Sequence, residues 1–229
     1  MSADPDALTR ACLRLYRRYA VEVVEALGFC PYAERCRVES HTREVVVLDD
    51  RPDPARALAE VEALVPDDGV EVALLIWPRL PLDRARFSRF VQDVRAAHQA
   101  RAGGLVFAME GFHPEALPDL ETPERLIPFV RRTPDPTIQL VRHSVLTHVR
   151  RGTPQGTAFF DPTMLDLEAL LREPVRAPLH ERIAGTNHAT VLALGADAVQ
   201  ARLDDILADR DRTYRALGEP ARAPKEDLP

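Results

Sequence analysis

The sequence predicts an α/β fold: a small, mainly parallel sheet of three or slightly more strands, flanked by helices and followed by a C-terminal helical extension. Two observations carry this prediction. Segments typical of strands alternate with segments typical of helices in the first half of the chain, with short loops between them. The strand cores, such as residues 73–76, are continuously apolar, which is typical of strands covered by helices on both faces.

The first element is a predicted helix over residues 6–27. Its apolar side chains recur at steps of three and four, as a single buried stripe requires: Leu8, Cys12, Leu15, Tyr19, Val23 and Ala26. We expect Gly28 to end this helix, because glycine is favoured just beyond a helix C-terminus.

Three strands separated by two helices come next. The strands are predicted over residues 44–48, 70–77 and 104–109. Asp53 and Asp83 should cap the two helices, because an aspartate side chain accepts hydrogen bonds from the free N–H groups of a first helical turn. The strand–helix–strand order predicts that these strands run parallel.

The second half begins with a proline-rich tract over residues 113–136, which we predict to be mostly loop. A helix should then start at Pro136, with Asp135 as its N-cap, because proline is favoured in the first helical turn. Its buried stripe would consist of Ile138, Val141, Val145 and Val149. A last helical stretch is predicted over residues 181–217, with a break at Gly195.

We assign residues 1–150 to an α/β core domain, residues 151–217 to a helical extension packed on it, and residues 218–229 to a disordered tail. The 229-residue chain has a formal net charge of -6. This acidic balance disfavours nucleic acid as a partner, because nucleic-acid binding needs a basic surface.

Composition also predicts the cellular location of the protein. The longest apolar run has six residues (72–77), whereas a membrane span needs about 20, so we expect no membrane association. Three cysteines make no disulfide framework, and the first residues lack the apolar segment of a signal peptide. We therefore expect a cytoplasmic protein.

Cys30 and His113 are the candidate catalytic residues. Cys30 lies in the turn after the first helix, where a thiol can be reached and can act as a nucleophile if a cation is near. His113 directly follows the third predicted strand, and ligands bind beyond the carboxyl ends of strands in open α/β sheets. The alternatives are a small buried hydrophobe for Cys30 and a loop-capping ring for His113.

Residues 131–137 predict an anion site. Arg132 precedes the predicted helix, whose free N–H groups and dipole favour an anion. Arg142, on the exposed side of that helix, would complete a two-arginine clamp on a carboxylate or phosphate. Thr137, in the first turn, is a further candidate for substrate binding. The alternative is a solvated basic face, since arginine is abundant throughout this chain.

The spacing of histidines and cysteines predicts no metal site and no cofactor. Pairs of neighbouring histidines in the second half are five and eight residues apart, so neither pair shares one helical face. Cys30 and Cys36 are six residues apart, which is not the spacing of a zinc knuckle.

Several separated segments resemble one family. Residues 28–33 (GFCPYA) resemble the LCPFA signature of the domain-of-unknown-function 1415 family, and residues 112–114 (FHP) are similar to its FHP segment. Residues 131–142 resemble its NRSPYPTLHLLR segment, and Asn187 and Gly195 fit a later helix. The family is mainly bacterial and has no assigned reaction, so the resemblance implies only that certain residues share a site: Cys30, His113, Arg132, Arg142 and Asn187.

The chain departs from the family pattern at three positions. Arg131 stands where the family has asparagine, Asp135 where it has tyrosine, and His143 where it has glutamate. If that glutamate is catalytic in relatives, this chain has altered or lost their activity.

Our first hypothesis is an enzyme acting on a small anionic metabolite, as a cofactor-independent hydrolase or transferase. Cys30 would be its nucleophile and His113 its general acid or base. The substrate would be held by Arg132, Arg142, Thr137 and Asn187. The second hypothesis is a non-catalytic module that binds a small ligand or a partner protein, and the third is a Cys/His metal or haem site. A homodimer is compatible with all three.

Overall fold

The computed structural model describes residues 4–101, 105–150 and 179–220. Within these ranges it contains eight α-helices, one π-helical segment and four strands. In chain order they are α1 (Pro5–Tyr19), the π-helical segment (Ala20–Glu25), α2 (Ala33–Val38), β1 (Thr42–Val46), α3 (Pro54–Leu64), β2 (Val72–Ile76), α4 (Arg84–Gln99), β3 (Phe107–Phe112), α5 (Pro123–Val130), β4 (Thr137–Arg142), α6 (His143–Arg150), α7 (Leu179–Leu194) and α8 (Ala196–Ala216).

The four strands form one mixed sheet in the order β1-β2-β4-β3. β1 pairs parallel with β2, whereas β4 pairs antiparallel with both β2 and β3. β1, β2 and β3 therefore run in the same direction, and β4 is inserted between the last two. The α/β class with flanking and C-terminal helices is confirmed. Four strands agree with the prediction of three or slightly more, but the prediction that the sheet is mainly parallel is wrong, because two of the three pairings are antiparallel.

Residues 137–142 form the strand β4, not the helix predicted to start at Pro136. Four of the six residues are buried: Ile138, Leu140 and Arg142 on one face of the strand and Thr137 on the other. A six-residue segment is too short for its periodicity to separate a strand from a helix, so Ile138 and Val141 fit a helical stripe equally well. Helix α6 begins only at His143.

Helices cover the sheet on both faces. On one face, α3 and α4 pack through Val61, Phe87 and Val91 against Ala73 and Leu75 of β2. On the other face, the layer against β2 comes from α1, the π-helical segment, α5, α7 and α8, through residues that include Cys12, Tyr19, Val23, Phe129, Val191 and Leu203. The sheet therefore separates two apolar layers, which we call the α4 layer and the α1 layer.

The predicted helix boundaries at glycine and aspartate are confirmed. Gly28 and Gly195 have positive φ angles of 66° and 85°, a conformation that glycine adopts without steric cost. Asp53 and Asp83 cap α3 and α4 with their side-chain oxygens.

Helix α8 is held against α1 by a group of ion pairs. Asp209 of α8 accepts hydrogen bonds from Arg14 at 2.7 Å and from Arg18 at 2.8 Å. These two guanidinium groups, Arg14 first, hold the pKa of the Asp209 carboxyl well below its usual range. Arg18 also pairs with Asp205 and with Glu22.

Two segments of the predicted organisation lie outside the described ranges. They are residues 151–178 of the assigned extension and the tail from residue 221 onward. Within those ranges, no helix has both the length and the apolar composition that a membrane crossing requires.

Candidate functional site

The motif segments meet at the end of the sheet where β1, β2 and β3 have their carboxyl ends. Phe112 closes β3 and pairs with Thr137, the first residue of β4. Just beyond β2, the Trp77 N–H donates to the Pro136 carbonyl oxygen at 2.9 Å. Phe29 packs in the α1 layer, and the charge of Arg131 acts on the neighbouring Cys30. The segments 112–114 and 131–137 thus lie at one end of the sheet, and segment 28–33 is linked to them through Arg131.

Asp135 is the centre of a buried polar cluster at this end. Its Oδ1 atom accepts from Arg210 Nε at 2.7 Å, and its Oδ2 atom accepts from the Tyr214 hydroxyl at 2.7 Å. The Cys12 thiol lies 3.7 Å from the same Oδ2 atom, and Arg210 also donates to the Pro78 carbonyl oxygen at 3.2 Å. At this end of the sheet, the carboxylate that accepts from an arginine is therefore that of Asp135 and not that of a ligand. Most partners of Asp135 lie on α8.

Arg132 is buried and engaged with the interior. It donates to the Pro114 carbonyl oxygen at 3.0 Å, to Gln200 Oε1 at 2.7 Å and to Asp204 Oδ1 at 3.2 Å. The last two acceptors belong to α8. Arg132 therefore joins the FHP loop to the C-terminal helix.

Thr137 and Arg142 lie at opposite ends of β4. The buried Thr137 hydroxyl donates to the Asp135 carbonyl oxygen at 2.9 Å. Arg142 is 8% exposed, and its guanidinium packs on the Phe107 ring with 4.8 Å from Cζ to the ring centroid. It donates to the carbonyl oxygens at and beyond the end of α3, namely those of Leu64, Val65, Asp67 and Val70.

The predicted clamp of Arg132 and Arg142 is not formed. It required a helix that would bring both guanidinium groups to one end, but a six-residue strand separates them. At about 3.4 Å per residue, the ends of that strand are about 17 Å apart. The prediction that Arg142 is exposed is also wrong. Its side chain is buried, and its N–H groups donate to the carbonyl groups around the end of α3.

His113 is buried, with both ring nitrogens in hydrogen bonds. Its Nδ1 atom accepts from the Glu115 N–H at 3.3 Å, so the proton is on Nε2, which lies 3.0 Å from the Leu82 carbonyl oxygen. The ring packs on Phe87 with 5.7 Å between centroids. Burial lowers the pKa of His113, so the ring is neutral near pH 7. This arrangement fits the alternative in which the His113 ring caps its loop.

Cys30 is half-buried in the turn that follows Gly28. The Ala33 N–H donates to the Cys30 carbonyl oxygen at 3.3 Å, and the backbone N–H groups of Tyr32 and Ala33 and the charge of Arg131 act to lower the pKa of the thiol. Burial is the largest influence and raises the pKa of Cys30, although these three groups act in the opposite direction. The thiol is therefore protonated near pH 7.

The structure does not bring Cys30 and His113 together. Cys30 lies in the α1 layer, close enough to Tyr16 and Tyr19 to influence their pKa values. His113 lies in the α4 layer against Phe87, on the other side of the sheet. Across the described ranges, no three His, Cys, Asp or Glu side chains are arranged to hold a metal ion.

Asn187 lies on the buried face of α7, with 7% of its surface exposed. Helix α7 packs against α5, and Val191 on the same helix belongs to the α1 layer. The Asn187 Oδ1 atom has no hydrogen-bond partner among the described residues.

Arg131 belongs to the stretch 131–137 that was predicted to be an anion site, although only Arg132 of this pair was named as a candidate for substrate binding. Its side chain is 33% exposed, and its guanidinium lies over the Phe112 ring with 5.1 Å to the centroid. Its Nη1 atom donates to Glu110 Oε2 at 3.2 Å. The signal was the Arg-Arg pair itself, which places a second guanidinium in the same segment as Arg132.

Tyr16 and Glu44 are two further residues that the sequence analysis missed. Burial is the main cause that raises the pKa of Tyr16, and electrostatic interactions with Tyr19, Glu44 and Cys30 add to it. Cys30 acts in the same direction on the pKa of Tyr19. The surroundings of Cys30 therefore contain the Arg131 guanidinium and two phenols.

Comparison with known proteins gives one match. A family described as "Protein of unknown function (DUF1415)" matches residues 13–177. The match includes the segments 28–33, 112–114 and 131–137, whereas α7, with Asn187, and α8 lie beyond it. Neither the curated proteins nor the solved structures gave a match. Because this family matches residues 13–177, which is most of the chain, the chain belongs to the DUF1415 family.

Proposed function

We propose that this protein is a non-catalytic module that binds a small anionic molecule, a carboxylate or a phosphate, at the surface formed by Arg131, Phe112 and Cys30. We call this surface the Arg131 site. The observation that carries the proposal is that the Arg131 side chain is one-third exposed and its charge acts on Cys30, while the Arg132 guanidinium is buried and bonded to Pro114 and Gln200. A guanidinium stacked on a ring keeps its N–H edge free for an oxyanion.

The state of Cys30 and His113 supports a non-catalytic role. A nucleophilic cysteine needs a lowered pKa or an adjacent base, but burial raises the pKa of Cys30. His113 lies in the other layer, and both of its ring nitrogens are engaged, Nδ1 by the Glu115 N–H in its own loop and Nε2 by the Leu82 carbonyl oxygen before α4. We propose that both residues serve the local structure.

One observation favours the enzyme as a second candidate. The N–H groups of Tyr32 and Ala33, together with Arg131, act to lower the pKa of Cys30. They would stabilise a thiolate once a substrate had promoted its formation. The chain would then be a cofactor-independent hydrolase or transferase on the same class of anionic molecule. A cytoplasmic location and a homodimer remain predictions under either candidate.

The proposed site can be tested with two alkylating reagents of similar size. Iodoacetate is anionic and iodoacetamide is neutral, and the ratio of their rates at Cys30 reports the local positive charge independently of the thiolate fraction. We expect Arg131→Gln to lower this ratio about two- to fivefold, because a unit charge a few ångströms away contributes up to about 1 kcal/mol in a water-like medium. Rates at Cys30 are followed by peptide mass spectrometry.

Arg125→Gln is the matched control. Arg125 is an exposed arginine of α5 that pairs with Asp119 and Glu121, so its removal changes the net charge equally. We expect it to leave the ratio unchanged. An unchanged ratio in Arg131→Gln, or an equal fall in both variants, would contradict the Arg131 site.

A further inference from the structure

Glu110 already occupies the guanidinium that the proposed ligand would use. The Glu110 side chain is 54% exposed, and it makes a single contact with Arg131, between Oε2 and Nη1 at 3.2 Å. It lies on β3, which is an edge strand of the sheet. Exposed single ion pairs contribute little to stability, so this contact can be exchanged readily for another carboxylate.

A second cation lies on the other side of Glu110. Its Oε1 atom is 4.0 Å from Nη2 of Arg95 on α4. Arg95 is itself held in place by a hydrogen bond to the Met109 carbonyl oxygen. A Glu110 carboxylate that leaves Arg131 therefore has a second partner beside it and does not become an isolated charge.

We infer that Glu110 is an internal competitor for the Arg131 site: its carboxylate covers Arg131 in the free protein and moves to Arg95 when a ligand carboxylate binds. The inference rests on the proposed function and adds the ligand's chemical class. A site covered by a carboxylate of the chain itself has the geometry for a carboxylate ligand. Glu110 thereby limits which ligands bind, because a ligand carboxylate must interact with Arg131 more favourably than the Glu110 carboxylate does.

The test uses iodoacetate as the carboxylate probe and iodoacetamide as its neutral reference. We expect Glu110→Gln to raise the rate ratio at Cys30 about two- to threefold, because the competing carboxylate is gone and Arg131 is uncovered. The same substitution in an Arg131→Gln background should have no effect, because Glu110 acts through Arg131. Glu121→Gln, which removes a carboxylate from the Arg125 pair, should leave the ratio unchanged.

The outcomes separate this inference from the proposed function. An equal rise from Glu110→Gln with and without Arg131 would mean that Glu110 acts on Cys30 through its general field, and the competitor role would be overturned. No rise at all would overturn it too. If Arg131→Gln alone leaves the ratio unchanged, the proposed function itself fails, whatever Glu110→Gln does.

Discussion

Replacement of Asp135 by asparagine is expected to lower the free energy of unfolding by about 3–5 kcal/mol, the range for breaking one side of a buried ion pair. Arg210 is almost completely buried and would lose its bond to Asp135. Its remaining carboxylate partner, Asp211, is partly exposed. The Tyr214 hydroxyl would also lose a charged acceptor. Equilibrium urea unfolding, followed by the fluorescence of Trp77, measures the change.

Asp205→Asn is the control for this prediction. Asp205 also lies on α8 and pairs with an arginine, but its side chain is 63% exposed, so its loss should cost no more than about 1 kcal/mol. Combining Asp135→Asn with Arg210→Leu should cost less than the sum of the two single variants, because no unpaired buried charge remains. Equal losses in Asp135→Asn and Asp205→Asn would contradict the buried cluster.

Arg142→Met is expected to lower the free energy of unfolding by about 3 kcal/mol. The substitution keeps the aliphatic part of the side chain but removes the donors to four carbonyl groups around the end of α3. Each hydrogen bond from a charged donor contributes roughly 1.5–3 kcal/mol, and such contributions are not additive when one group makes them all. Urea unfolding measures this change too.

Arg56→Met is the matched control, because Arg56 lies on α3 but is exposed and pairs only at the surface. We expect a change within about 1 kcal/mol. Arg142 was also predicted from the sequence to bind the substrate, and the same variant tests that prediction. Unchanged stability in Arg142→Met, together with a lowered iodoacetate-to-iodoacetamide ratio at Cys30, would place Arg142 in the ligand site and contradict a structural role.

The parts of the fold that the sequence predicts are those with a local physical cause. The apolar runs of β1, β2 and β3, the aspartate caps of α3 and α4 and the glycine at the α7–α8 junction each follow from a few adjacent residues. Strand β4 could not be found in this way. Asp135 and Pro136 imitate a helix start, and only the pairing with two distant strands makes the next residues extended.

The candidate site was harder to predict for the same reason. The acceptors of Arg142 are backbone carbonyl groups more than 70 residues away, and a pattern of side chains does not reveal backbone acceptors. Asp135 was recognised as a departure from the family, but its partner Arg210 is 75 residues away on a helix that the family match does not cover. Cys30 and His113 were expected to share one site, but they lie on opposite faces of the sheet.

We propose that Cys30 is a protonated thiol beside a binding arginine and not an activated nucleophile. The pH dependence of its reaction with iodoacetamide decides between these two states. Because burial raises the pKa of Cys30, the midpoint should lie above the ordinary thiol value of about 8.5, with slow reaction at pH 7. Cys36, whose pKa burial raises to about 11, is an internal reference that should react still more slowly. A midpoint below pH 7 would contradict the claim and make Cys30 the nucleophile of an enzyme.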